Sequence, residues 1–169
     1  MTETNPMHDP EDLSAKLRAK ALATTAAELG LDALAPGIPF GVLMELGLPP
    51  GALTLVCFAT GDVSTYFSRG GGLIGGTGEN GIREAGLRML ETATGLVDEL
   101  GMLSVTAPGL PPEGSTQFIA LLADGLRSVR LSTQLAASGD SLLTPLFAAG
   151  QDVLTHIRDL QDSDSPLVA

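Results

Sequence analysis

Three short apolar runs, at residues 40–46, 53–58 and 63–68, are separated by Leu48-Pro49-Pro50-Gly51 and by Thr60-Gly61-Asp62. Both connections are turns, far shorter than the crossover a parallel pair needs, so the runs predict three consecutive antiparallel strands. The middle run is apolar on both faces, with Leu53, Leu55 and Cys57 opposite Val56 and Phe58, as in a central strand covered on both sides. The third alternates cleanly, Val63, Thr65 and Phe67 against Ser64, Tyr66 and Ser68. Further on, residues 116–123 and 126–135 flank Asp124-Gly125, a strong signal for a type I′ hairpin.

Helices are signalled between these strands. Asp9-Pro10-Glu11-Asp12 reads as an N-cap, a proline at the first helical position and acids in the first turn. The helix is expected to run through Leu13, Leu17 and Ala21 to Gly30, with a narrow, alanine-rich stripe. Ile82, Ala85, Met89, Ala93, Leu96 and Leu100 follow the i, i+3, i+4, i+7 rule, and Gly101 stops that helix. Thr144 and Pro145 open a last one, with Leu146, Gly150, Val153 and Ile157 on one face. Residues 107–115 are Pro-rich and expected to form a rigid, exposed linker. The order α-β-β-β-α-β-β-α predicts an α+β domain, an antiparallel sheet of about five strands with helices packed on it. One domain is expected over residues 9–160, with a loose N-terminus at 1–8 and a loose tail at 161–169.

The stretch from Tyr66 to Gly81 stands apart from this folding pattern. It is crowded with glycine and lies between a strand and a helix, so Tyr66, Arg69, Gly70, Gly71, Gly72, Gly75, Gly76, Asn80 and Arg83 are the candidate ligand or partner residues. Gly70 to Gly75 and Gly76 to Gly81 both match G-x-G-x-x-G. That fingerprint belongs to a parallel βαβ unit, whereas the strands here form hairpins, so a dinucleotide site is disfavoured. A P-loop is excluded, because no lysine follows Lys20. Three readings stay open. The glycines supply positive φ and a close backbone approach; the loop contacts a partner; or its N–H groups at a helix N-terminus cradle a small anion, with Arg69 or Arg83 adding charge.

Other chemistry is sparse. Cys57 is the single cysteine and sits in an apolar run, where a buried, inert thiol is expected. His8 and His156 have no metal-binding spacing, and His156 one turn after Asp152 reads as a hydrogen-bonded surface residue. Arg127 and Arg130 differ by an odd number, so a regular strand places them on opposite faces. Neither a catalytic residue, a metal nor a cofactor is assigned.

Two resemblances add to this. The strand and helix arrangement is similar in topology to small α+β domains of the profilin and roadblock group. Tyr66-Phe67-Ser68-x-Gly70-Gly71-Gly72-x-Ile74-Gly75-Gly76, with Ile82-Arg83-Glu84-Ala85 and Pro145-Leu146-Phe147-x-Ala149-Gly150-Gln151, resembles a family of small bacterial proteins of uncharacterised function over roughly residues 40–158. That resemblance implies a fold and no activity.

A net charge of −11 argues against nucleic acid or anionic membrane as partner. Only 17% of residues are charged against 44% hydrophobic, which favours a surface that meets another protein. The expectation is a cytoplasmic, non-catalytic binding or scaffold module acting as a homodimer, with a protein partner possible. The alternative is a sensor or enzyme for a small anionic or nucleotide-type ligand at residues 69–81.

Overall fold

The computed structural model describes residues 9–73, 79–101, 103–104 and 106–164. Five long strands form the body of the sheet: β1 (Gly41–Leu48), β2 (Gly51–Phe58), β3 (Val63–Phe67), β6 (Ser115–Leu122) and β7 (Gly125–Ser132). Two-residue strands, β4 (Gly72–Leu73) and β5 (Leu103–Ser104), cap its edges, giving the order β4-β3-β2-β1-β6-β7-β5. Every neighbouring pair is antiparallel. The sheet is the antiparallel α+β sheet that the hairpin turns predict, and its centre is β1, which joins the meander β1-β2-β3 to the hairpin β6-β7.

Helices cover both faces. On one, α2 (Asn80–Gly95) and α4 (Thr144–Asp164) bury Ile82, Met89, Leu146 and Val153 against Met44, Leu55, Cys57 and Phe118. On the other, α1 (Pro10–Ala23) and the segment at 24–40 pack on Leu43, Val56, Tyr66, Ile119 and Leu121. The two-sided apolar pattern of β2 is thereby explained: Leu55 and Cys57 face α2 and α4, while Val56 faces α1. Each fully buried side chain of leucine size contributes about 1.5–3 kcal/mol by leaving water. Burial also pushes the Cys57 thiol up to about 12, and its Sγ lies 3.8 Å from Met89 Sδ. It is a core residue.

The structure moves several element ends. The first helix stops at Ala23 rather than Gly30, because Thr24 turns extended and Thr25 starts a capping box. Thr25 N–H donates to Glu28 Oε2 and Glu28 N–H donates back to Thr25 Oγ1, closing a short 3-10 turn over Ala27–Leu29 that Gly30 ends at φ 72°. The strand expected over 126–135 ends at Ser132, whose hydroxyl caps α3 (Thr133–Ala137) by accepting from Leu135 N–H. Helix α2 gives way at Gly95 to a 3-10 turn over Val97–Leu100, with Gly101 still the stop. The last helix spans Thr144–Asp164, so Thr144 is its first residue and not its cap: the buried Thr144 Oγ1 has no hydrogen-bond partner, and the helix continues through Gln161 to Asp164.

Candidate functional site

Strand β3 ends at Phe67 and the chain turns tightly back. Gly70 N–H donates to Phe67 O at 2.9 Å, Phe67 N–H donates to Gly71 O at 3.0 Å, and Ser68 Oγ accepts from Ala52 N–H at 2.9 Å. Gly72 then enters β4, paired with Tyr66. A Cβ on Gly72 would stand 2.0 Å from Thr65 O and 2.8 Å from Tyr66 Cα, and its φ is +148°. At this position the glycine is required by strand proximity. Gly72→Val is therefore expected to lower stability by at least the roughly 1–3 kcal/mol of backbone strain, read as a shifted denaturant midpoint.

The turn also rearranges the candidate set. Since Gly72 lies in an antiparallel strand, the first G-x-G-x-x-G match does not open a helix, as a dinucleotide fingerprint must. Gly75 and Gly76, and the first half of the second match, fall outside the described residues. Arg69 and Arg83 do not converge. Arg69 Nε donates to Pro50 O at 3.3 Å beside the glycine turn, and its guanidinium lies 3.7 Å from Glu11. Arg83 Nη1 donates to Thr60 O at 2.6 Å at the opposite end of β3, a strand of about 13 Å at its usual rise. Asn80 is exposed at the start of α2. The structure thus keeps Tyr66, Gly70, Gly71 and Gly72 together, with Arg69 on the rim, and places Asn80 and Arg83 elsewhere.

Where α1 crosses the turn, a cleft of about 230 Å³ opens. Pro10, Leu13 and Leu17 form one wall, and Tyr66, Gly70 and Gly71 the other. Leu13 stands 42% exposed at its mouth. Tyr66 is buried, and its hydroxyl donates to Leu17 O at 3.4 Å, which ties the helix to the sheet. The lining is mainly apolar, suited to an aliphatic or aromatic side chain more than to an anion.

Burial raises the Tyr66 hydroxyl well above its ordinary value; the Glu45 charge adds to the effect and Arg18 opposes it. Tyr66 and Cys57 are both raised, so the fold favours their protonated forms. Their contribution to stability is complete below the ordinary values, 10.0 for the tyrosine and 9.0 for the cysteine, and is lost as the pH rises above them. The expected result is a denaturant midpoint that declines from about pH 9 upward on account of these two groups. With one tyrosine and no tryptophan in the chain, phenolate absorbance reports Tyr66 alone, and it should appear together with unfolding.

A polar network that the local sequence pattern does not disclose crosses the sheet. Tyr66, Thr54, Glu45, Gln117 and Arg130 stand in register across β3, β2, β1, β6 and β7 on the face beneath α1. Glu45 is fully buried. Arg18 of α1 grips it with both arms, Nε to Oε1 at 2.6 Å and Nη2 to Oε2 at 2.9 Å. Thr54 Oγ1 donates to it at 3.1 Å and Gln117 Nε2 at 2.8 Å. The same donors reach the Pro-rich segment: Arg18 Nη2 donates to Pro108 O at 2.7 Å, and Gln117 Nε2 and Arg130 Nη2 each donate to Gly109 O at 3.0 Å. Segment 107–115 is therefore tied down as a strap, although much of it faces solvent. Glu45, saturated by donors and closed to solvent, is a clamp and not a base. The signal was one acid inside the apolar run 41–48, since a carboxylate there needs a cation from elsewhere in the chain.

Arg127 and Arg130 do fall on opposite faces, Arg127 donating to Val97 O and Arg130 to Gln117. His156 lies 3.7 Å from Asp152, as their spacing on α4 predicts. Among the described residues, no group of three or more His, Cys, Asp or Glu side chains converges as a metal site, and no helix is long and apolar enough to cross a membrane. No protein-family model, curated protein or solved structure matches the chain.

Proposed function

We propose that the protein is a non-catalytic binding module that works as a homodimer, with the outer face of α1 as the contact between copies. The observation that carries this is an exposed small-residue stripe on that face. Ser14, Leu17, Arg18 and Ala21 turn inward, leaving Glu11, Leu13, Ala15, Lys16, Ala19, Lys20 and Ala23 outward. Ala15, Ala19 and Ala23 recur at i, i+4 and i+8, so two copies of the helix crossing antiparallel about a two-fold axis approach closely along them. Glu11 and Lys20, about two and a half turns apart, flank that stripe on opposite sides. Leu13 of each copy lies beside the apolar cleft. The apolar lining of that cleft and the carbonyl contacts of Arg69 and Arg83 support a protein contact over a small-anion site.

Sedimentation equilibrium tests the reading. Wild-type protein is expected at the mass of two 17.3 kDa chains at micromolar concentration. Ala19→Arg should weaken association roughly tenfold, equivalent to about 1.4 kcal/mol, because a long charged side chain holds the two helices apart. Glu11→Lys, on the flank of the stripe, should leave the mass at two chains. A wild-type mass of one chain, or an Ala19→Arg variant as tight as wild type, contradicts the proposal.

A further inference from the structure

We propose that α1 and the Pro-rich strap at 107–114 open together as one unit released at Glu45, and that this opening widens the cleft beside the glycine turn. The inference extends the reading of that cleft as a partner site by giving it a gate.

Three observations converge on it. First, α1 is held by less apolar contact than the helices of the other face. Its inward stripe is Ser14, Leu17, Arg18 and Ala21 with Leu22 at its edge; Ala21 is the buried apolar member, and Leu17 and Leu22 are only partly covered. By contrast, α2 and α4 bury Ile82, Met89, Leu90, Leu146, Val153 and Ile157. The attachment of α1 therefore rests heavily on the fork from Arg18 to Glu45. A buried ion pair adds little net stability, because the charges regain hydration when they separate. Opening along this seam is cheaper than its burial suggests.

Second, the helix and the strap share their anchors. The Arg18 nitrogen that bonds Glu45 also bonds Pro108 O, and the Gln117 nitrogen that bonds Glu45 also bonds Gly109 O. When Arg18 leaves, Pro108 loses its donor and Glu45 becomes free to draw Gln117 away from the strap. Third, α1 supplies Pro10, Leu13 and Leu17 to the cleft, so its displacement moves one whole wall and uncovers Tyr66. A partner that favours the open form shifts the population through its differential affinity, and strap and cleft are then coupled reciprocally.

The test uses the full chain on the Ala19→Arg background, so that contact between copies does not enter and the dimer proposal can fail separately. Hydrogen exchange should show α1 amides and the strap amide of Gly114, which bonds Gly47 O, opening with matching protection. Both should exchange faster than β1, β2 and β6. Arg18→Met should accelerate the α1 and strap amides together, by at least tenfold more than those of β1, β2 and β6, and raise acrylamide quenching of the single tyrosine, Tyr66. Should Arg18→Met not fold, Arg18→Lys keeps the charge but loses the fork, and the same coupled change is expected at smaller size. Acceleration of α1 without Gly114, or no change in Tyr66 quenching, overturns the proposal.

Discussion

Glu45→Ala is expected to lower the unfolding free energy by about 3–5 kcal/mol, among the largest losses available to a point substitution here. The carboxylate is fully buried and accepts from Arg18, Thr54 and Gln117. Its removal strands a guanidinium beneath α1, with Thr54 and Gln117 losing their shared acceptor. Alanine also leaves a void in the middle of β1, flanked by β2 and β6, where nothing can collapse into it without breaking the ladder. The cost comes from breaking the pair and not from any large net contribution of the pair itself. Arg18→Met combined with Glu45→Met should therefore recover most of the stability, since replacing a buried ion pair by apolar side chains of similar volume is often neutral. Urea titration of the single and double variants checks both statements. A Glu45→Ala loss under about 1 kcal/mol would mean that water reaches the carboxylate.

The second large effect is expected at Gly47. A Cβ there would lie 1.8 Å from Pro112 O and 2.4 Å from Pro112 C, with Glu113 N at 2.9 Å. All three are backbone atoms of the strap, and no side chain can rotate away to relieve the contact. Gly47→Val must push the strap off the sheet, breaking the bond from Gly114 N–H to Gly47 O and loosening Gly109 from Gln117 and Arg130. The expected loss is about 3 kcal/mol, at the upper end for forcing extra volume into a packed site. Gly71→Ala is the control: its φ is +88°, but nothing lies within 4 Å of the added carbon, so only about 1–2 kcal/mol of left-handed strain applies. Equal losses at the two positions would show that the strap yields freely.

These two sites show where sequence reading reaches its limit. The five long strands, α2 and the start of α4 were legible because each is written in local periodicity and turn chemistry. The pairing of β1 with β6 was not, because residues about seventy positions apart meet only when the sheet closes, and no local pattern fixes that neighbour. The ladder from Tyr66 to Arg130 depends on that pairing, and so Glu45 passed as one polar residue in an apolar run. Helix α1 was misread for a related reason. Leu13, Leu17 and Ala21 suggested an alanine-rich stripe, yet the buried face turns to include Ser14 and Arg18 and leaves Leu13 42% exposed, because Glu45 beneath it demands a cation. The glycine stretch was recognised as unusual but taken as one loop between strand and helix. Two-residue strand β4 interrupts it, too short to leave a period, and separates Arg69 from Arg83. What remained from the candidate set is Tyr66 with Gly70 to Gly72, facing a helix whose sheet-facing chemistry the sequence had not disclosed.

The measurement closest to the central claim is native mass spectrometry of the protein gently purified from its own host. The account predicts two chains, with no retained small molecule of a few hundred daltons. A single chain carrying such a mass would contradict it, and would make the turn beside Tyr66 a ligand site in place of a contact between proteins.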